Sequence, residues 1–189
     1  MTGHTARIRL AERKDRPGIE AMHVLSVQGL TTQDYTPAQI EAFVGYLGTY
    51  DPSLIDDGTY FVIEETGRII ASGGWSWRMP QFESAGEGPG GRSFALSPES
   101  AKIRSIFVHP QHVRRGLATR LVTLSEERAA EAGCRLIELW ATLTGVPLYR
   151  ALGYAEVGRI PLSAPGVAPL TAVHMAKLIP VGAAEASAA

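Results

Sequence analysis

The chain has one cysteine, no apolar run of membrane-spanning length and almost no net charge, and each lack removes a class of protein. A lone Cys134 excludes an intramolecular disulfide framework and fits a reducing compartment. Placed after Gly133 and before an apolar run, it is expected as a small buried residue. The N-terminus, Met-Thr-Gly-His-Thr-Ala-Arg, carries no apolar core of a secretory signal, so a cytoplasmic location and no membrane partner are expected. A formal net charge of −1 and a pI near 6.5 leave no electrostatic basis for nucleic acid as the main partner. No Ser/His/Asp or Cys/His arrangement marks a nucleophile. His109 and His112 stand three apart in a turn without a third ligand, so no metal is expected.

What is present fits one globular domain. The 189 residues are 45% hydrophobic and 20% charged, without an internal repeat. The domain is expected over residues 1–178, with 179–189 as a flexible tail that has nothing to bury. Arg7–Leu10 alternates as a first strand, and helices are expected from Pro17 to about Gln28 and after Thr36-Pro37, carrying Ile40, Phe43, Val44 and Leu47, with Gly48 at its end. Asp51-Pro52 and Asp56-Asp57-Gly58 are turn chemistry. Tyr60–Glu64 and Ile69–Ser72 form a hairpin around Thr66-Gly67. The glycine-rich stretch from Met79 to Ser100 cannot be a regular element.

The richest stretch is Val108-His-Pro-Gln-His-Val-Arg-Arg-Gly-Leu-Ala-Thr-Arg-Leu121. Lys102–Val108 reads as a buried strand that Pro110 ends. An amphipathic helix then runs from Leu117 to Ala132. Leu117, Leu121, Leu124 and Arg128 share a face with Ala118, Val122 and Ala129 beside them, while Arg120, Glu126, Glu127 and Glu131 face water. A helix start offers unpartnered N–H groups and a partial positive charge. Gly116 and Ala118 remove side-chain bulk there, which suits a pyrophosphate. Downstream come the strand Leu136–Trp140, a helix from about Pro147 to Leu152 with Tyr149 on it, and strands near Ala155–Ile160 and Thr171–Leu178.

The turn resembles that of the GNAT superfamily of acyl-CoA-dependent N-acyltransferases, in which Arg/Gln-x-x-Gly-x-Gly/Ala follows a Val-x-Pro strand end. Gly116 and Ala118 match the small positions, and Val113 stands where the superfamily usually has Arg or Gln. The second motif, Thr142 to Tyr154, is similar to the superfamily's Asn-x-x-Ala-x-x-x-Tyr-x-x-x-Gly-Phe/Tyr. Tyr149, Gly153 and Tyr154 are in register, and Thr142 and Gly145 replace the Asn and Ala.

The resemblance implies an α+β fold, a mixed, mainly antiparallel sheet of six to seven strands flanked by helices. It implies acetyl-CoA as co-substrate and no metal. Val113, Arg114, Arg115, Gly116, Leu117, Ala118 and Thr119 would hold the phosphates. Ile106, Phe107 and Val108 would line the thioester arm, a backbone N–H near Phe107 or Val108 would be the oxyanion donor, and Thr142 and Tyr149 would stand opposite. Tyr149 would be the acid that protonates the leaving thiolate, since a phenol with pKa near ~10 is protonated at neutral pH.

The expected reaction is direct attack by a primary amine of a small molecule or amino acid on acetyl-CoA. A protein lysine or N-terminal acetyltransferase and a non-catalytic acyl-CoA sensor are the alternatives, and a homodimer is allowed. The general base is left open among Glu64, Glu99, Glu138, His109 and a water chain. Lys102 occupies the strand position where some relatives carry a Glu. Trp75 and Trp77 are expected in the core, with a wall of the acceptor pocket as the lesser reading. Glu83, Glu87, Asp56 and Asp57 are the acids that could draw a cationic amine.

Overall fold

The computed structural model describes residues 6–47, 51–78, 100–164 and 166–180. Seven strands form one sheet in the order β1-β2-β3-β4-β5-β7-β6. They are β1 (Arg7–Leu10), β2 (Tyr60–Glu65), β3 (Arg68–Ser76), β4 (Ser100–Val108), β5 (Leu136–Thr142), β6 (Ala155–Ala164) and β7 (Val167–Leu178). Every neighbouring pair is antiparallel except β4 with β5. The helices are α1 (Arg16–Leu30), α2 (Pro37–Ala42), α3 (Ser53–Asp56), α4 (Leu117–Glu131) and α5 (Val146–Ala151). The expected α+β class and the strand and helix order are those found, with the short α3 added inside the Asp51–Gly58 turn region.

The period-two alternation of the strands sorts the core into two faces. Phe61 and Ile63 of β2 join Ile103, Ile137, Leu139 and Met175 beneath α4 and α5. Tyr60 and Val62 turn the other way and pack with Ile19 of α1 and Leu54 of α3. Each such fully buried aliphatic side chain contributes roughly 1.5–3 kcal/mol.

Several boundaries and faces differ from expectation. The helix after Thr36 is α-helical only to Ala42 and then widens into a π turn at Phe43–Leu47, where Gly45 weakens a regular helix. Gly48 lies outside the described residues, as do residues 79–99 and 181–189. On α4, Ser125 joins the expected Val122 and Ala129 on the buried face, whereas Arg128 is exposed and paired with Glu131 at 2.6 Å. Glu126, expected in water, is covered and accepts from Lys177 Nζ of β7 at 2.7 Å. The β6–β7 hairpin is longer than expected and turns at Gly166. Pro161 is tolerated because β6 is an edge strand, and Pro169 because β7 pairs with β5 only from Ala172 onward. The core also extends past residue 178: Ile179 is buried and its N–H donates to the Arg135 carbonyl at 2.9 Å.

Candidate active site

β4 and β5 pair only at Ser100–Lys102 with Leu136–Glu138. Beyond that register they separate, and a cleft of about 810 Å³ opens between them. Residues 103–108 of β4 form one wall and residues 139–142 of β5 the other, with α1, α5 and β7 closing the sides. Polar side chains flank the last paired rung. Lys102 Nζ donates to Glu138, whose other oxygen lies 2.9 Å from His174 Nε2, and the His174 ring stacks on Trp140 at 4.9 Å. His174 and Lys102 together hold the Glu138 carboxyl well below its ordinary range, at about 2.

Inside the cleft β4 is bulged. Ser72 faces Phe107 and Gly74 faces Arg104, so β4 carries one residue more than β3 across the same interval. Ser105 takes a positive φ of 50° to absorb it. Gly73 makes room on β3: a Cβ there would sit 2.2 Å from Ile106 Cδ1 and 3.2 Å from its Cα. Under the bulge lies a fully buried polar group of Tyr60, His23 and Ser72. Tyr60 Oη donates to the Ser105 carbonyl at 2.9 Å, with Ser72 Oγ 3.1 Å and His23 Nε2 3.2 Å from the same oxygen.

At the far end of β4 the chain enters the turn through a short 3-10 segment, Pro110–His112. Arg114 and Gly116 both take left-handed backbone, φ 62° and 74°, and Gly116 is the N-cap of α4. Gly116 has no side chain to cap the first-turn N–H groups, which are left for a ligand or water. A Cβ at Gly116 would meet nothing within 4 Å, so open space lies above the backbone. That combination fits a pyrophosphate. Val113 is 38% exposed at the cleft mouth. The Arg115 guanidinium lies on Glu65 at 2.7 and 3.1 Å and on His112 Nδ1 at 2.6 Å, so its side chain is held by two charge-assisted bonds to one carboxylate. The remaining expected cofactor residues all line the cleft.

Tyr149 faces the turn from α5 and lines the same cleft. Its ring is buried and meets Tyr154 edge-on at 5.7 Å. Burial pushes its phenol above the ordinary value, so the hydroxyl keeps its proton at neutral pH. Gly145 lies against the ring, where a Cβ would be 3.3 Å from Tyr149 Cε2. Thr142, in place of the Asn of the motif, accepts the Gly145 N–H at 3.3 Å and so caps the turn into α5.

Of the acids and histidines weighed as the base, the described ones, Glu64, Glu138 and His109, do not line the cleft. Glu64 binds Arg9 at 2.9 Å, and Glu138 is held in the sheet by Lys102 and His174. His109 Nδ1 accepts the Gln111 N–H at 3.2 Å. Asp56 is paired with Arg13 at 2.8 Å and Asp57 with Arg78 at 2.7 Å, so neither is placed to draw an amine. Glu83, Glu87 and Glu99 lie outside the described residues. Trp75 is core, whereas Trp77 lies beyond the end of β3 and is 46% exposed.

The cleft includes residues the sequence did not single out: Asp51, Arg104 and Tyr35. Asp51 had been expected only as part of a turn, and Arg104 is the one basic residue within the run Ile103–Val108. Tyr35 donates to the Thr171 carbonyl and accepts the Leu143 N–H, both at 2.8 Å, tying the α1–α2 connection to β7 and β5.

A profile of the Acetyltransferase (GNAT) family matches residues 25–154, which contain β2 to β5, the turn and Tyr149. The chain belongs to that family. It is 36% identical over 61 residues to an uncharacterized N-acetyltransferase of Methanocaldococcus jannaschii, a match spanning 31% of this chain and 27% of that protein. Among solved structures it is similar to a GCN5-related N-acetyltransferase from Rhodopseudomonas palustris, with a TM-score of 0.71 and 20% identity over 95% of this chain and 99% of that one. It is also similar to yncA of Salmonella typhimurium, solved with its cofactor acetyl-CoA: TM-score 0.63, 17% identity, 95% of this chain and 97% of that one. At these identities the structural likeness speaks to the fold. No helix among the described residues is long and apolar enough to cross a membrane.

Proposed function

We propose that the protein is an acetyl-CoA-dependent N-acetyltransferase acting on the primary amine of a small molecule or amino acid. The observation that carries the reading is one continuous cleft. It joins an uncapped left-handed helix start, a bulged strand edge and a buried, protonated tyrosine. Acetyl-CoA would supply the acetyl group as an activated thioester.

The chain's own parts have distinct tasks. The N–H groups at the start of α4, with Arg114 beside them, would hold the phosphates, where the helix dipole favours anions. The edge of β4 beyond Lys102 has no partner in β5, so its backbone can pair with an extended amide arm as a strand would. Ser105 and Ile106 lack register partners in β3 and β5, which leaves the backbone of the bulge to polarise a carbonyl. Tyr149 Oη holds a proton for the departing sulfur. A small acceptor is favoured because Phe43, Asp51, Arg104 and Trp140 also line the cleft and take up part of its surface.

The test is a panel of amines with acetyl-CoA, read by the thiol released. Amine-dependent release supports the reading. Acetyl-CoA binding without release for any amine, peptide amines included, would leave an acyl-CoA sensor instead.

A further inference from the structure

The cleft has a direction along β4. The phosphate turn lies beyond Val108 and the bulge at Ser105, so the next residue, Arg104, stands on the side where an acceptor must enter. Its side chain is 12% exposed, and its Nη2 lies 3.3 Å from Asp51 Oδ2, itself on a side chain 12% exposed. Asp51 is held in place from below: its Oδ1 accepts the Ser53 N–H at 3.0 Å and the Ser53 hydroxyl at 2.8 Å. That leaves Oδ2 as the oxygen turned to Arg104.

Two fixed, opposite charges therefore share one largely covered wall, with Arg104 Nη2 3.3 Å from Asp51 Oδ2. A ligand with only an amine would place a cation near Arg104, and one with only a carboxylate would place an anion near Asp51. Both leave an unfavourable like-charge approach in a covered site. A ligand with ammonium and carboxylate on one carbon answers both residues at once and adds no net charge. The same cleft carries the apolar surfaces of Phe43 and of the Trp140 ring, which His174 stacks on at 4.9 Å.

We infer that Arg104 and Asp51 form the acceptor subsite, and that the acceptor is an α-amino acid with an apolar side chain. Its carboxylate rests on Arg104 and its amine faces Asp51, next to the bulge at Ser105. This rests on the acetyltransferase reading and narrows it.

The test is calorimetry on the protein saturated with coenzyme A, titrated with L-phenylalanine, with phenethylamine, which lacks the carboxylate, and with hydrocinnamate, which lacks the amine. L-Leucine and 3-methylbutylamine give a second pair. The expected result is that each amino acid binds about tenfold or more tighter than its one-charge analogue. Arg104→Gln should remove most of that preference and Asp51→Asn should weaken amino acid and amine alike, with coenzyme A affinity unchanged in both. If either variant fails to fold, the wild-type comparison alone decides. Equal affinity for phenylalanine and phenethylamine, or no amino acid binding up to about 10 mM, overturns the inference while leaving the acetyltransferase reading intact. Failure of coenzyme A itself to bind overturns both.

Discussion

Tyr60 Oη donates its one proton to the carbonyl of Ser105 at 2.9 Å, so a fully buried phenol on β2 clamps the backbone where β4 bulges. β3 lies between the two strands, and its Gly74 lets them approach: a Cβ there would sit 2.9 Å from Tyr60 Cα. The clamp fixes the peptide groups the reaction would use, and His23 Nε2 and Ser72 Oγ flank Tyr60 Oη.

Tyr60→Phe keeps the ring and removes the clamp. A half-buried carbonyl loses its donor, which costs about 1 kcal/mol of stability. We predict a lower denaturation midpoint and a larger fall in kcat than in acetyl-CoA affinity, because the bulge is displaced while the phosphate turn is untouched. Stability loss with an unchanged kcat would make the group purely structural.

At Gly116 the backbone itself is the binding element. Left-handed φ is costly for a β-branched residue, about 1–2 kcal/mol, and a side chain would fill the open space above the N–H groups. Acetyl-CoA at about 100 times its Kd should stabilise the wild type by roughly 2.7 kcal/mol. Gly116→Val should abolish most of that shift in a thermal melt. A full shift in the variant would place the phosphates elsewhere.

Val113 is half-exposed at the cleft mouth, so Val113→Arg fits without repacking. A charge-assisted contact there should improve acetyl-CoA binding by about 1 kcal/mol and fade with added salt. Calorimetry at two ionic strengths measures it, and a large loss of affinity would show that the turn is read in the wrong register.

Glu138 sets a pH dependence. Its carboxyl is held at about 2 by His174 and Lys102, against an ordinary 4.5. A depressed folded pKa contributes stability that is present above about 4.5 and lost as the pH falls toward 2, on the order of 3 kcal/mol. Denaturant midpoints should drop across that window. Replacing the pair together, Lys102→Met with Glu138→Leu, should flatten this part of the profile, whereas Glu138→Leu alone leaves a buried ammonium and costs about 3–5 kcal/mol. A profile unchanged in the double variant would assign the acid sensitivity to other carboxylates.

The turn and α4 were legible because their signals are local: Pro110, Gly116 and a 3.6-residue apolar spacing fall within one short stretch. The same spacing misjudged Arg128 and Glu126, because Ser125 is small enough to bury and Lys177 comes from a distant strand. Pro161 and Pro169 hid half of the last hairpin, since edge position and pairing are properties of the sheet. Most opaque was the acceptor end. Asp51 and Arg104 are 53 residues apart and meet only once the sheet has formed. Nothing in an Asp-Pro turn distinguishes a helix start from a binding group.

The most direct test of the account is steady-state thiol release at saturating acetyl-CoA by wild type and Tyr149→Phe, with acetyl-CoA affinity measured beside it. Tyr149 is buried, protonated and on the cleft, and Tyr149→Phe removes one oxygen while keeping the ring. The account predicts amine-dependent release by the wild type and a fall in kcat on the order of 10²-fold or more in the variant, with affinity unchanged. Equal kcat in the two proteins, or release that no amine stimulates, would contradict it.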